Sequence, residues 1–246
     1  MATDYGNKSI VTDGLIFAID AANRQSYPGT GTVCTDTISN ESGTLSGNAS
    51  FQNSNNVGEF ILDGVNDYIN FGDLSKADFG YQVPFTFNVW FKLNDSTPLS
   101  TSSHLYTVFS KYQTNNVNGG YALFLRGGSS NGIVFRSTYA SGGGAGLDTN
   151  PTSDMSSTFT DYKYHSATFT YNSSALGSLY VDGQFINSRT LGTGQSHNNN
   201  QNFYIGVYVS LSYDFPGNIG PLQIYNRDLS ANEVLHNYNA LKSRFE

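Results

Sequence analysis

The run Phe85-Thr86-Phe87-Asn88-Val89-Trp90-Phe91-Lys92-Leu93 alternates without a break. Successive side chains of a β-strand point to opposite faces, so Phe85, Phe87, Val89, Phe91 and Leu93 share one face and Thr86, Asn88, Trp90 and Lys92 the other. A helix of this sequence would scatter the five apolar residues around its axis. The stretch predicts a strand with one face against a core.

Working outward, similar runs recur between Gly/Asn/Ser turns. Phe60-Ile61-Leu62 leads through Asp63-Gly64 to Tyr68-Ile69-Asn70-Phe71. Tyr121 to Arg126 and Ile133 to Ser137 form a pair, His165 to Tyr171 places Ala167, Phe169 and Tyr171 on one face, and Leu179 to Val181 is a further run. Asp182-Gly183 after that last run is a two-residue hairpin signal. Phe203 to Val209 and Leu222 to Tyr225 complete the predicted strands. One helix is expected, at the C-terminus. Ser230-Ala231-Asn232-Glu233 is a capping box in which the hydroxyl and the carboxylate each satisfy an orphan amide. Val234, Leu235, Tyr238 and Leu241 follow as an apolar stripe. The expected fold is therefore all-β, a two-sheet antiparallel jelly-roll sandwich with one short C-terminal helix. Residues 1–12 are expected to form an N-terminal arm and 13–246 a single domain.

Composition narrows the function classes. Charged residues make up 13% of the 246, against about 25% in an average soluble domain. Asn, Ser, Thr and Gly must therefore carry the solvation. The 12 Lys and Arg against 19 Asp and Glu give a formal charge of −7. Nucleic acid needs clustered basic residues, so this balance excludes it as the expected partner. No run approaches the roughly 18 apolar residues of a membrane helix, and no membrane insertion is expected. The start, Met1 to Lys8, has no apolar signal-peptide core, and Cys34 is a lone cysteine. The expectation is synthesis in the cytoplasm without a signal peptide, followed by exposure on a virion or cell surface.

Several segments, in order, resemble laminin G-like (pentraxin-like) jelly rolls of the concanavalin A-like lectin/glucanase superfamily, of the kind found in phage virion and bacterial surface proteins. They are Gly14 to Asn23 with Ser26-Tyr27-Pro28-Gly29, Phe60 to Ile69, Phe85 to Lys92, Leu179 to Gly183 and Gly217 to Ser230. The resemblance spans about residues 10 to 240. It implies a lectin-like sandwich, and by itself no single function, because this fold hosts lectins, glycosidases and spacers. Where many relatives carry an Asp-Glu pair, this chain has Gly220-Pro221, and the E-x-D-x-x-E strand of the glucanase branch is absent.

Chemistry is sparse. Glycoside hydrolysis needs two facing carboxylates. The only glutamates are Glu41, Glu59, Glu233 and Glu246, of which Glu233 serves the helix cap and Glu246 is terminal. His104, His165, His197 and His236 are scattered, and no Gly-x-Ser-x-Gly elbow occurs. No catalytic residue is assigned. Structural Ca2+ is the one cofactor left open. Its candidate ligands are Asp20, Asp63 and Asp67, whose competing role is to cap turns through Asx hydrogen bonds. For carbohydrate, the candidates are the loop tyrosines Tyr112, Tyr139, Tyr208 and Tyr213 with Arg126, since recognition residues concentrate on loops.

Three functions stand in order. The first is a non-catalytic, surface-displayed adhesion or decoration module, of a phage virion, contacting a glycan or surface polysaccharide. The second is a purely structural virion protein that docks on other virion proteins or self-associates without a sugar ligand. The third is a glycoside hydrolase using loop aspartates.

Overall fold

The alternating run forms β7, Phe85–Leu93, across the middle of a sheet and shows why the chain builds two apolar layers. Its five inward residues join one large core cluster with Phe17, Phe60, Phe109, Tyr121, Phe135 and Phe169. The computed structural model describes residues 9–53, 57–94, 105–112, 119–127, 132–138, 159–191, 197–208 and 211–246.

Two antiparallel sheets face each other. Sheet A runs β13 (Gln184–Thr190), β12 (Leu176–Val181), β11 (His165–Tyr171), β7, β15 (Pro216–Tyr225), β5 (Glu59–Asp63), β4 (Ser50–Gln52), with β1 (Leu15–Ile19) added beside β15. Sheet B runs β10 (Gly132–Thr138), β9 (Gly120–Arg126), β8 (Leu105–Lys111), β14 (Tyr204–Ile205), β6 (Tyr68–Asn70), β3 (Ser42–Ser46), β2 (Val33–Thr35). The non-consecutive order of neighbours is that of a jelly roll, in which chain ends and middle interleave. The interior is mostly aromatic. Phe135 stacks on Phe169 across the gap between sheets at 3.5 Å, and Phe87 on Phe109 at 4.9 Å.

The hairpin at Asp182-Gly183 forms as expected, with positive φ at both positions (51° and 74°), the backbone of a type I′ turn. Gly220-Pro221 falls at a register break in β15 between Ile219 and Leu222. A proline inside a central strand is tolerated at such a bulge. Space is tight at Gly220 as well, because a Cβ would come to 3.0 Å from Trp90 and 3.2 Å from Phe245 and those side chains would have to give by a few tenths of an ångström.

Helix α1, Ala231–Leu241, closes the outer face of sheet A. Ser230 and Glu233 form the expected capping box, and Arg227 grips the same Glu233 carboxylate at 2.6 and 3.1 Å. Hydrogen bonding to Arg227 lowers that carboxyl to about 2. The predicted stripe is only partly buried, since Val234 is covered while Leu235 stays 37% exposed. Its place in the interface is taken by Asn237, which donates to the Tyr225 hydroxyl and accepts from the Val11 amide. Residues 9–11 are thereby laid against the helix, with the Tyr225 hydroxyl donating to the Val11 carbonyl. One strand expectation needs correction. Val209 lies outside the described residues, and of Phe203 to Tyr208 only Tyr204–Ile205 is strand, because Gly206 takes φ 89° and breaks the extended run.

Candidate functional site

The outer face of sheet B carries the site. Along β6 and β14 alternation sends Ile69 and Ile205 into the core and leaves Tyr68 and Tyr204 outside. Their half-buried rings meet edge to face at 5.7 Å, and the Asn202 amide donates to the Tyr204 hydroxyl at 3.1 Å. Beside them opens a cleft of about 410 Å³ lined by Gly47, Asn66, Tyr68, Leu211 and Asp214. That volume lies within the range of roughly 300–1,000 Å³ common for small-molecule sites.

Two turns shape the cleft. The turn after β5 puts Asn66 at φ 65°, and its amide donates to Asp214 Oδ1 at 3.2 Å. The second turn follows β14 and places Leu211 at φ 51° and Tyr213 at φ 58°. Left-handed backbone at a leucine and a tyrosine is uncommon and costs about 1 kcal/mol or more each. The turn is held by its own bonds, Tyr208 N–H to Ser212 carbonyl and Thr107 N–H to Tyr213 carbonyl, both 2.9 Å. The result is an exposed leucine and an exposed tyrosine next to a carboxylate and an amide.

The carbohydrate candidates from sequence divide. Tyr112 and Tyr208 are buried, with rings 5.0 Å apart in a small apolar cluster with Leu105, Ala122, Phe124 and Val134. Burial, helped by Tyr112, holds the Tyr208 phenol well above its usual range, so it is a neutral hydroxyl. These two rings form the base on which the turn rests and do not reach its surface. Tyr213 is 45% exposed and packs edge-on to Tyr208 at 5.8 Å, on the turn that frames the cleft. Arg126 ends β9 opposite Leu105, at the end of the sheet remote from Tyr112. Tyr139 lies outside the described residues. Asn66, Tyr68, Tyr204 and Asp214 were missed. Tyr68 was readable from its alternation with Ile69, whereas Asn66 and Asp214 are 148 positions apart and only the fold joins them.

The calcium candidates are engaged in bonds within the protein. Both oxygens of Asp20 pair with Arg244, at 2.7 and 2.9 Å, and one also caps the Ala22 amide. Asp67 is buried and accepts from the Asn48 and Asp63 amides, while Asp63 caps Val65. Among the described residues no group of three or more His, Cys, Asp or Glu is arranged to hold a metal ion. The donor sets at these three aspartates do not fit a Ca2+, which takes six to eight oxygens.

An oxygen cage does exist, and it is already filled. The Lys111 side chain is fully buried, with its ammonium bonded to Asp73 Oδ1 at 2.7 Å, the Asn199 carbonyl at 2.6 Å and the Gln201 carbonyl at 2.9 Å. Asp78 Oδ1 adds a fourth oxygen at 3.1 Å. A buried charge persists only when paired and hydrogen-bonded in this way.

Among the described residues, Glu59, His197 and His165 are buried or tied up. Glu59 is buried on β5, and burial raises its carboxyl above the usual range despite Asn218 and Lys92. His197 is sealed among Phe85, Tyr121 and Tyr171, shares a 2.8 Å bond with Ser137, and is pushed down to about 3 by burial. His165 is clamped between Asp182 at 2.7 Å and Asp161 at 3.0 Å. Burial opposes its charge, but the two carboxylates outweigh it and raise its pKa.

A family model for the concanavalin A-like lectin/glucanases superfamily, laminin G-like, matches residues 63–235, most of the chain. The chain belongs to that superfamily. The match begins at the turn that frames the cleft and runs into helix α1. No curated protein matches the chain. Solved structures do. This superfamily member is similar to the binding domain of Paraclostridial Mosquitocidal Protein 1 (TM-score 0.67, 18% identity, 92% of this chain and 52% of that one). It is similar as well to the botulinum neurotoxin serotype G binding domain (0.68, 16%, 93% and 51%). A third is the serotype D ligand-binding domain in complex with N-acetylneuraminic acid (0.67, 16%, 95% and 51%). At these identities the likeness is one of fold, and the chain spans about half the length of each.

Proposed function

We propose that this superfamily member is a non-catalytic, surface-displayed adhesion or decoration module that contacts glycans through the outer face of sheet B. The observation that carries the reading is the cleft itself, lined by half-buried Tyr68, Asn66 and the Asp214 carboxylate, with Tyr204 packed against the Tyr68 ring. A pyranose presents an apolar C–H face and a rim of hydroxyls. It needs a ring to lie against and nearby acceptors and donors, and concave sites with a few convergent polar groups supply both. The like-folded toxin domains, one of them in complex with a sugar acid, support a binding role over a catalytic one.

A glycan array at high protein concentration tests the reading, with Tyr68→Ala alongside. The expected result is a discrete set of positive glycans whose signal falls at least tenfold in the variant. Uniform silence would reject it. The virion setting rests on the resemblance to phage jelly rolls, and detection of the chain in purified particles tests that part.

A second reading is a structural virion protein that docks or self-associates without sugar. Strand β13 favours it, since it is the exposed edge of sheet A and Phe185 on it is 57% exposed. An open edge is a template for pairing with another chain. Concentration-dependent size-exclusion behaviour, abolished by Phe185→Lys, would support this reading.

A further inference from the structure

We infer that the cleft selects uncharged sugars and disfavours carboxylated ones such as sialic acids, an inference that rests on the glycan reading and narrows it to a ligand class. The charges that face the site decide the matter. Asp214 lines the cleft, and Asp63 and Asp67 sit in the turn that forms its wall. The floor is Gly47, so close to that turn that a Cβ would lie 2.3 Å from Asp67 Oδ1 and 2.5 Å from the Asn66 carbonyl. A ligand resting on Gly47 therefore has a carboxylate immediately behind it. No lysine, arginine or histidine is among the described lining residues.

Of the basic side chains described on the same sheet, Lys111 on β8 is fully buried and already paired with Asp73 and Asp78. Arg126 and Arg136 belong to β9 and β10, three and four strands from Tyr68 in the order β10-β9-β8-β14-β6. At about 4.8 Å per strand that is roughly 14 and 19 Å. Both exceed the screening length of about 8 Å at physiological salt. Arg136 is also occupied, its guanidinium hydrogen-bonded to the Tyr208 hydroxyl and 5.2 Å from the centre of the Phe124 ring. A sugar carboxylate in the cleft would meet Asp214 with no basic side chain among the described lining residues to offset it.

What remains favours hydroxyls. Asp214 Oδ1 takes the Asn66 amide, so Oδ2 and the remaining lone pairs are available to accept sugar O–H groups. Asn66 is exposed at the rim. Asp214 thus reads hydroxyls and repels anions with the same atoms, which is how one group supplies both the attraction and the exclusion that specificity needs.

The test pairs each neutral oligosaccharide with its sialylated form, lactose against 3′-sialyllactose among them, and measures both affinities by calorimetry on the full chain. The expected result is at least tenfold weaker binding of the sialylated member at 20 mM salt, with the gap narrowing at 500 mM. Asp214→Lys should shrink or invert the gap, while Asp214→Asn, which can still accept the Asn66 amide, confirms that the fold survives the change. Equal or tighter binding of sialylated members that Tyr68→Ala abolishes would overturn the inference and leave the glycan reading standing. Binding that neither Tyr68→Ala nor Asp214→Lys alters would put the sugar elsewhere and overturn it too. Silence from every member would remove the reading on which it stands.

Discussion

On the outer side of sheet A, Trp90 lies flat between Tyr238 at 5.5 Å and Phe245 at 4.4 Å, both from the C-terminal segment. Thr168 donates to Asn88 and Asn88 to Gln223, a polar row that satisfies itself beneath the helix. On the outer side of sheet B, Tyr68 and Tyr204 also pair, but as half-exposed rings beside an open cleft. The first face is closed by the chain's own helix. The second keeps aromatic surface and a carboxylate within reach of solvent. Folding favours covering aromatic area, so a face that stays partly open while its twin is sealed is where a ligand gains from burying it. The comparison teaches that the single tryptophan, the residue most expected at a sugar site, belongs to stability here, and that the proposed recognition surface is left to tyrosines.

The largest test of that division is Trp90→Ala, which empties a fully enclosed stack. It should cost about 3–5 kcal/mol in urea unfolding and leave glycan affinity unchanged for the protein that remains folded. Loss of sugar binding at undiminished stability would reverse the roles of the two faces. Tyr68→Ala is the counterpart. Its ring is only half-buried, so unfolding should shift by no more than about 1 kcal/mol while affinity falls at least tenfold.

A smaller effect separates the faces by pH. His165 sits at the start of β11 in sheet A, and its carboxylate clamp raises its pKa above the unfolded value. The stabilisation is fully present below the unfolded pKa of about 6.5 and is lost as pH rises through the folded one. Thermal melts should therefore fall in Tm from pH 6 to pH 9, and His165→Gln should flatten that slope without touching sugar affinity. The smallest expected effect is none at all: EDTA should leave the Tm unchanged, because Asp20, Asp63 and Asp67 hold Arg244 and backbone amides. A drop on chelation would show an ion these bonds conceal.

Much of the fold was legible because the pattern that signals it is the pattern that holds it together. Phe85 to Leu93 reads as a strand and is one to the residue. Legibility failed where burial does not come from alternation. β2, β3 and β4 are short, polar strands near sheet edges, with Val33, Ser42 and Ser50 exposed, so nothing in Ser42-Gly43-Thr44-Leu45-Ser46 announces pairing. Asn237 reads as a solvent residue on a helix, yet it is buried because the Tyr225 hydroxyl and the Val11 amide converge on it. The site was less legible than the fold. Tyr112 and Tyr208 read as recognition residues because they border loops, but both are buried in one apolar cluster with Leu105, Ala122, Phe124 and Val134. Asn66 and Asp214 become neighbours only once β5 and β15 pair.

Lys111 gives the loop end of the sandwich a positive charge on a covalent leash. A dissociable cation leaves whenever its surroundings become dilute, acidic or rich in competitors, and the oxygens it gathered then spring apart. Here the segments around residues 73, 78, 199 and 201 are gathered on a side chain that cannot diffuse away. Holding these segments together therefore asks for no ion from the surroundings.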